Sequence, residues 1–102
     1  MFMELEISKN TERNVWEVKP AGELDISSAE QFRNGLEASL SELKQDIELD
    51  LSGLSYIDST GLGVIIGIYG RAKKEGFTLK LLNPRDNVKK LLNISGLEKI
   101  LG

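Results

Sequence analysis

Leu54-Ser55-Tyr56-Ile57-Asp58-Ser59-Thr60-Gly61-Leu62-Gly63-Val64-Ile65-Ile66-Gly67-Ile68-Tyr69 is the stretch on which the fold turns. Residues 54–57 lead out of a Ser52-Gly53 turn into a polar cluster, Asp58 to Gly61, and a helix follows to about Glu75. Its first turns, Leu62 to Tyr69, are apolar on nearly every side, the signature of a deeply buried helix. Asp58 or Ser59 is its natural N-cap, and Gly76 its C-cap. Gly61, Gly63, Gly67 and Gly70 each cost roughly 0.8–1 kcal/mol against Ala in a helix. They are expected where another backbone packs close, with Gly67 and Gly70 belonging wholly to the core.

Working outward, Ile47, Leu49 and Leu51 alternate with Asp46, Glu48 and Asp50, which predicts a half-buried strand over 46–51. Upstream, Ala29, Phe32, Leu36, Leu40 and Leu43 form one apolar helical stripe. Ser27 and Glu30 stand at the spacing of a capping box before it. Residues 4–8 and 14–20 predict two strands, the second ended by Pro20, which cannot donate to a ladder. Ala21 to Ile26 reads as a further short extended piece. Downstream, Phe77, Leu79 and Leu81 alternate as a strand. Asn83 and Pro84 then predict the cap and first residue of a third helix, with Val88, Leu91 and Leu92 inward. Gly96 stops it, and Leu97, Ile100 and Leu101 mark a last short helix. Helices between strands imply a partly parallel sheet. The expected fold is α/β: one domain over residues 1–102 without a linker, a mixed sheet of four to five strands, and about four helices packed on it.

Composition narrows the chemistry. The 102 residues give room for one core, burying roughly 60–65% of the unfolded surface. Thirteen basic residues against 16 acidic ones give a net charge of -3, which argues against a phosphate-tracking nucleic-acid binder. The sequence contains no His and no Cys. That removes imidazole and thiolate as bases, nucleophiles and metal ligands, and no cofactor or metal is expected. No stretch approaches the roughly 20 apolar residues of a membrane span. The opening Met1-Phe2-Met3-Glu4-Leu5-Glu6 turns acidic too early for a signal peptide. A cytoplasmic monomer is the expectation.

Asp58-Ser59-Thr60-Gly61-Leu62-Gly63 is the one segment whose polarity exceeds what core and cover require. Its simplest reading is a capped helix start with glycines for close packing. A phosphate loop competes, since Gly61, Gly63 and Gly67 follow a strand. Yet the third glycine falls one residue late, and the acidic residue expected about 20 positions on is missing. An aspartic-protease reading needs a second carboxylate copy, and a Ser59 nucleophile lacks a base. Asp25, just before Ser27-Ser28, reads as a charge favouring the first helix's positive end. Tyr56 reads as a core lid or a group near the same surface as Asp25, and Arg71 as a solvated helix residue or a group near that surface.

The stretch from Leu54 to Tyr69 closely resembles the STAS domain of bacterial anti-sigma factor antagonists. Gly22-Glu23-Leu24-Asp25 is similar to that family's segment before the first helix, and Asn93-Ile94-Ser95-Gly96-Leu97 to its C-terminal element. The resemblance spans essentially the whole chain. It implies a non-enzymatic switch whose unphosphorylated form binds an anti-sigma factor serine kinase and frees a sigma factor. The kinase would phosphorylate Ser59, releasing it, and a serine phosphatase would reset it. Asp25, Asp58, Thr60 and Gly61 would be partner-binding, with no direct contact to nucleic acid or membrane. An unswitched scaffold, or a small-ligand or nucleotide-binding domain in a sensory assembly, is the alternative.

Overall fold

The computed structural model describes residues 3–102; Met1 and Phe2, on which the leader expectation partly rests, lie outside the described residues. β1 (Met3–Asn10) and β2 (Val15–Leu24) form an antiparallel hairpin. α1 (Ala29–Glu42), β3 (Asp46–Asp50), β4 (Leu54–Ile57), α2 (Ser59–Glu75), β5 (Leu79–Leu82) and α3 (Asp86–Ile94) follow, then a 3-10 turn at Leu97–Ile100. β3 and β4 both pair parallel with β2, and β5 pairs parallel with β3. The result is the expected α/β domain with a mixed five-stranded sheet, carrying three helices and the 3-10 turn.

Alternation along the strands separates the two sheet faces. Trp16, Val18, Ile47, Leu49, Leu79 and Leu81 are buried together with Phe32, Leu36, Ile65 and Ile68 of α1 and α2. The opposite face carries Glu17, Lys19, Glu48 and Lys80. Arg13 reaches over from the hairpin turn to pair with Glu48 and relieves the like charges of Glu17 and Glu48, which stand side by side in the register.

Several local expectations are corrected. Pro20 does not end a strand: β2 runs through it to Leu24 as one element. Its carbonyl points at Gly53, in the gap between β3, which pairs with residues 15–18, and β4, which begins opposite Gly22. A strand residue's N and O face the same edge, so the missing N–H falls where no strand needs it. The fifth strand is therefore 54–57 rather than 21–26. Gly22, at φ 103°, takes up the register shift that leaves Ser55 extra.

The Ser27–Glu30 capping box does not form. Ser28 is the N-cap of α1 and makes no cap bond, because its hydroxyl is turned back onto the preceding loop, accepting from the Asp25 N–H at 3.0 Å and donating to the Glu23 carbonyl at 2.8 Å. α3 starts at Asp86, later than Asn83-Pro84 implied, because Asn83 takes a left-handed turn (φ 55°) instead. Side chains of Arg85 and Asn87 then tie α3 to the carbonyls of Ser52 and Ser55. α2 is not apolar all round: Ile66, Gly63, Gly67 and Gly70 are exposed. Only Gly61 of the four glycines meets a close backbone, whereas a Cβ at Gly63, Gly67 or Gly70 would meet nothing within 4 Å.

Candidate functional site

β2 and β4 run parallel and end side by side, and the segments that leave them carry Asp25, Asp58, Ser59, Thr60 and Gly61. This is the end of a parallel sheet where binding sites gather. Asp58 joins the two loops. Its backbone N–H donates to the Leu24 carbonyl at 3.1 Å, holding the end of β4 to the end of β2. One carboxylate oxygen accepts from the Gly61 N–H at 2.9 Å, the N-cap bond of α2. The other accepts from the Ile26 N–H at 3.0 Å, across the β2–α1 loop. Both oxygens are thus employed inside the chain.

Two donors therefore depend on Asp58. Asp58→Ala is expected to cost about 2 kcal/mol, at the upper end for a lost N-cap. Asp58→Asn should fall between, because one amide oxygen cannot accept from both loops while its NH2 faces the second donor. Urea unfolding of the two variants measures this; equal stability of all three proteins would show that the bridge contributes nothing.

Asp25 lies at the same end but turns inward. It is 8% exposed, and its Oδ1 accepts from the Ser27 hydroxyl at 2.7 Å and the Ser27 N–H at 3.0 Å. The Ser27 hydroxyl holds its carboxyl below the usual aspartate range; burial opposes this, and the Ser27 N–H adds to it. A carboxylate with a lowered folded value adds stability that is whole above the unfolded value, about 3.9. That stability is lost as pH falls through the folded value. Thermal scans of Asp25→Asn should show a Tm below wild type at pH 7, the gap closing as pH drops below about 4. A gap independent of pH would mean the charge plays no part.

Ser59 is the first residue of α2 and is exposed, as is Thr60. Among the described residues the Ser59 hydroxyl has no hydrogen-bond partner, and no ion pair involves Asp25 or Asp58. The cations that do pair, such as Arg71 with Glu37 and Glu75, stand elsewhere. Arg71 is twelve residues along α2, roughly 18 Å from Ser59 at helical rise. Gly61 is buried against Leu24, and Tyr56 is 47% exposed, a surface group rather than a core lid. Sequence reasoning missed Ile26, 77% exposed on the loop that Asp58 pins. Its signal was an isoleucine outside every apolar period, between Asp25 and Ser27. Among the described residues no helix is long and apolar enough to cross a membrane.

Comparison with known proteins places this geometry in context. The STAS domain family matches residues 6–102. An anti-sigma-B factor antagonist of Bacillus subtilis is 37% identical over 99 residues, covering 97% of this chain and 90% of that protein. One from Staphylococcus aureus is 31% identical, covering 97% and 92%. Among solved structures, the anti-sigma factor antagonist SpoIIAA in its unphosphorylated form superposes with a TM-score of 0.84 at 26% identity, over 97% of this chain and 86% of that one. The Bacillus cell fate determinant SpoIIAA in its phosphorylated form gives 0.78 at 25%, over 97% and 89%.

Proposed function

The chain belongs to the STAS domain family, and from that membership we propose that it is an anti-sigma factor antagonist switched at Ser59. In its unphosphorylated form it binds an anti-sigma factor that is also a serine kinase, and so frees the sigma factor in the cytoplasm. Phosphate on Ser59 ends the binding, and a serine phosphatase restores it. The protein is a regulator rather than a catalyst, and a monomer when free. Ser59 and Thr60 are contacts; Asp58, Asp25 and Gly61 shape the surface from beneath.

The observation that carries this reading is an exposed, unpartnered hydroxyl at the start of α2, beside a carboxylate whose oxygens are already engaged. Such a hydroxyl is open to a kinase and not required by the fold. A phosphate there adds about -1.5 to -2 charge. The helix's positive end favours it by about 0.3–1 kcal/mol, and Asp58 opposes it by like-charge repulsion, so the fold tolerates it. A covered interface does not, because an unpaired dianion taken out of water costs several kcal/mol.

The test is displacement. Unphosphorylated chain added to a preformed complex of its host's sigma factor and anti-sigma factor should make the sigma factor elute free on gel filtration. Retention of the complex at saturating chain would overturn the reading in favour of an unswitched scaffold or ligand-binding domain.

A further inference from the structure

We infer that Ile26 is the apolar anchor of the docking surface, inserted into an apolar, cation-rimmed pocket of the anti-sigma factor. The inference rests on the antagonist reading above and deepens it. Ile26 is 77% exposed, and among the described large hydrophobic residues only Ile94, at 82%, is more so. Its backbone, by contrast, is held at every step. The Asp25 N–H donates to Ser28 Oγ, the Ile26 N–H to Asp58 Oδ2, and the Ser27 N–H to Asp25 Oδ1. The N–H groups of Ser28 and Ala29 both donate to the Asp25 carbonyl. Every amide from 25 to 29 therefore has an acceptor, and the main chain under Ile26 is preorganised.

An exposed apolar side chain on a fixed pedestal has little left to lose on being covered, which is the condition under which one residue dominates binding. Tyr56, opposite Glu23 in the ladder, adds a second apolar surface at the same end. Ser59 stands on the other side of the Asp58 bridge, so a partner that covers Ile26 also covers the phosphorylation site.

Charge decides the occupant. Asp25, Asp58 and Glu23 lie at this end, and among the described residues no ion pair joins Asp25, Asp58 or Glu23 to a lysine or arginine. A second copy would bring the same carboxylates face to face, whereas a partner whose pocket carries its cations on the Glu23 side, away from Ser59, would be attracted, and a phosphate on Ser59 would meet none of them.

The test uses the purified anti-sigma factor kinase of the host, titrated calorimetrically with the wild-type chain, Ile26→Ala, Ile26→Asp, Ile94→Ala and Ser59→Asp. Ile26→Ala is expected to bind about tenfold or more weakly and Ile26→Asp about 100-fold or more weakly. Ile94→Ala should stay within about twofold, because an exposed apolar residue outside the patch adds no anchor. Unfolding curves of both Ile26 variants should overlay wild type, since nothing in the fold covers the side chain. Wild-type affinity in Ile26→Ala, with binding still lost in Ser59→Asp, would overturn the anchor and leave the antagonist reading standing. Absence of binding by wild type would overturn both. A wild-type dimer that Ile26→Ala dissociates would make the occupant a second copy and overturn the assignment.

Discussion

Ser59→Asp is expected to bind the anti-sigma factor at least about 100-fold more weakly than wild type, while its Tm stays within about 2 °C. The two halves of that result come from different surroundings of one atom. In the free protein, Ser59 is exposed at the first position of α2 and makes no side-chain hydrogen bond among the described residues, so the fold loses nothing when the hydroxyl goes. A carboxylate there gains from the helix's positive end by about 0.3–1 kcal/mol and is repelled by Asp58 to a similar degree. In the proposed complex the same charge would be pressed into a covered surface beside the Asp58 carboxylate. Leaving it unpaired costs several kcal/mol, and each 1.4 kcal/mol is tenfold in affinity. Ser59→Ala should bind as wild type does. If Ser59→Asp lost its cooperative unfolding transition while Ser59→Ala kept it, the switch would act through the fold and not through the interface.

The second large effect concerns stability. Gly61→Ala is expected to cost about 3 kcal/mol, or a fall in Tm on the order of 15 °C for a chain of this length. A Cβ at residue 61 would stand 2.6 Å from Leu24 Cγ and 2.7 Å from the Leu24 carbonyl oxygen, and nothing nearby can yield. Leu24 is fully buried, and the same carbonyl accepts the Asp58 N–H that joins β2 to β4. Moving Leu24 away would open that junction and with it the site. Gly63→Ala and Gly67→Ala meet nothing within 4 Å and should instead stabilise, each by about 0.8–1 kcal/mol, as Ala usually does in a helix. Denaturant unfolding of the three variants separates the two behaviours. A Gly61→Ala protein as stable as Gly63→Ala would show that the contact with Leu24 is not a constraint.

That contrast also marks how far the sequence could be read. Alternation at 46–51 and the α1 stripe from Ala29 to Leu40 carried their meaning locally, because period and burial are properties of neighbouring residues; Leu43, counted as the stripe's last member, follows the helix and is exposed. Gly76 as the left-handed end of α2 was legible for the same reason, and its cap was narrowed to Asp58 or Ser59, of which Asp58 takes the position. What failed was whatever depends on residues far apart in the chain. Pro20 sits within β2 because β3 and β4 divide its edge between them, a fact of topology that no local rule contains. Four glycines in α2 look alike in sequence, and only the arrival of Leu24 from 37 positions upstream distinguishes Gly61.

The site followed the same division. The cluster from Asp58 to Gly61 announced itself by polarity before an apolar helix. Asp25 could be brought to it only through resemblance, and its inward-facing carboxylate, spent on Ser27, had no signal in the sequence. Ile26 went unremarked because a lone exposed isoleucine is ordinary. It becomes informative once the hydrogen bond from its N–H to Asp58 fixes where it stands.

The most direct measurement is the intact mass of the chain after incubation with the host's anti-sigma factor kinase, ATP and Mg²⁺, with Ser59→Ala and Thr60→Ala in parallel. The account predicts one added phosphate on wild type and on Thr60→Ala, and none on Ser59→Ala. Phosphate on Ser59→Ala, or none on wild type with a kinase shown to be active, would contradict it.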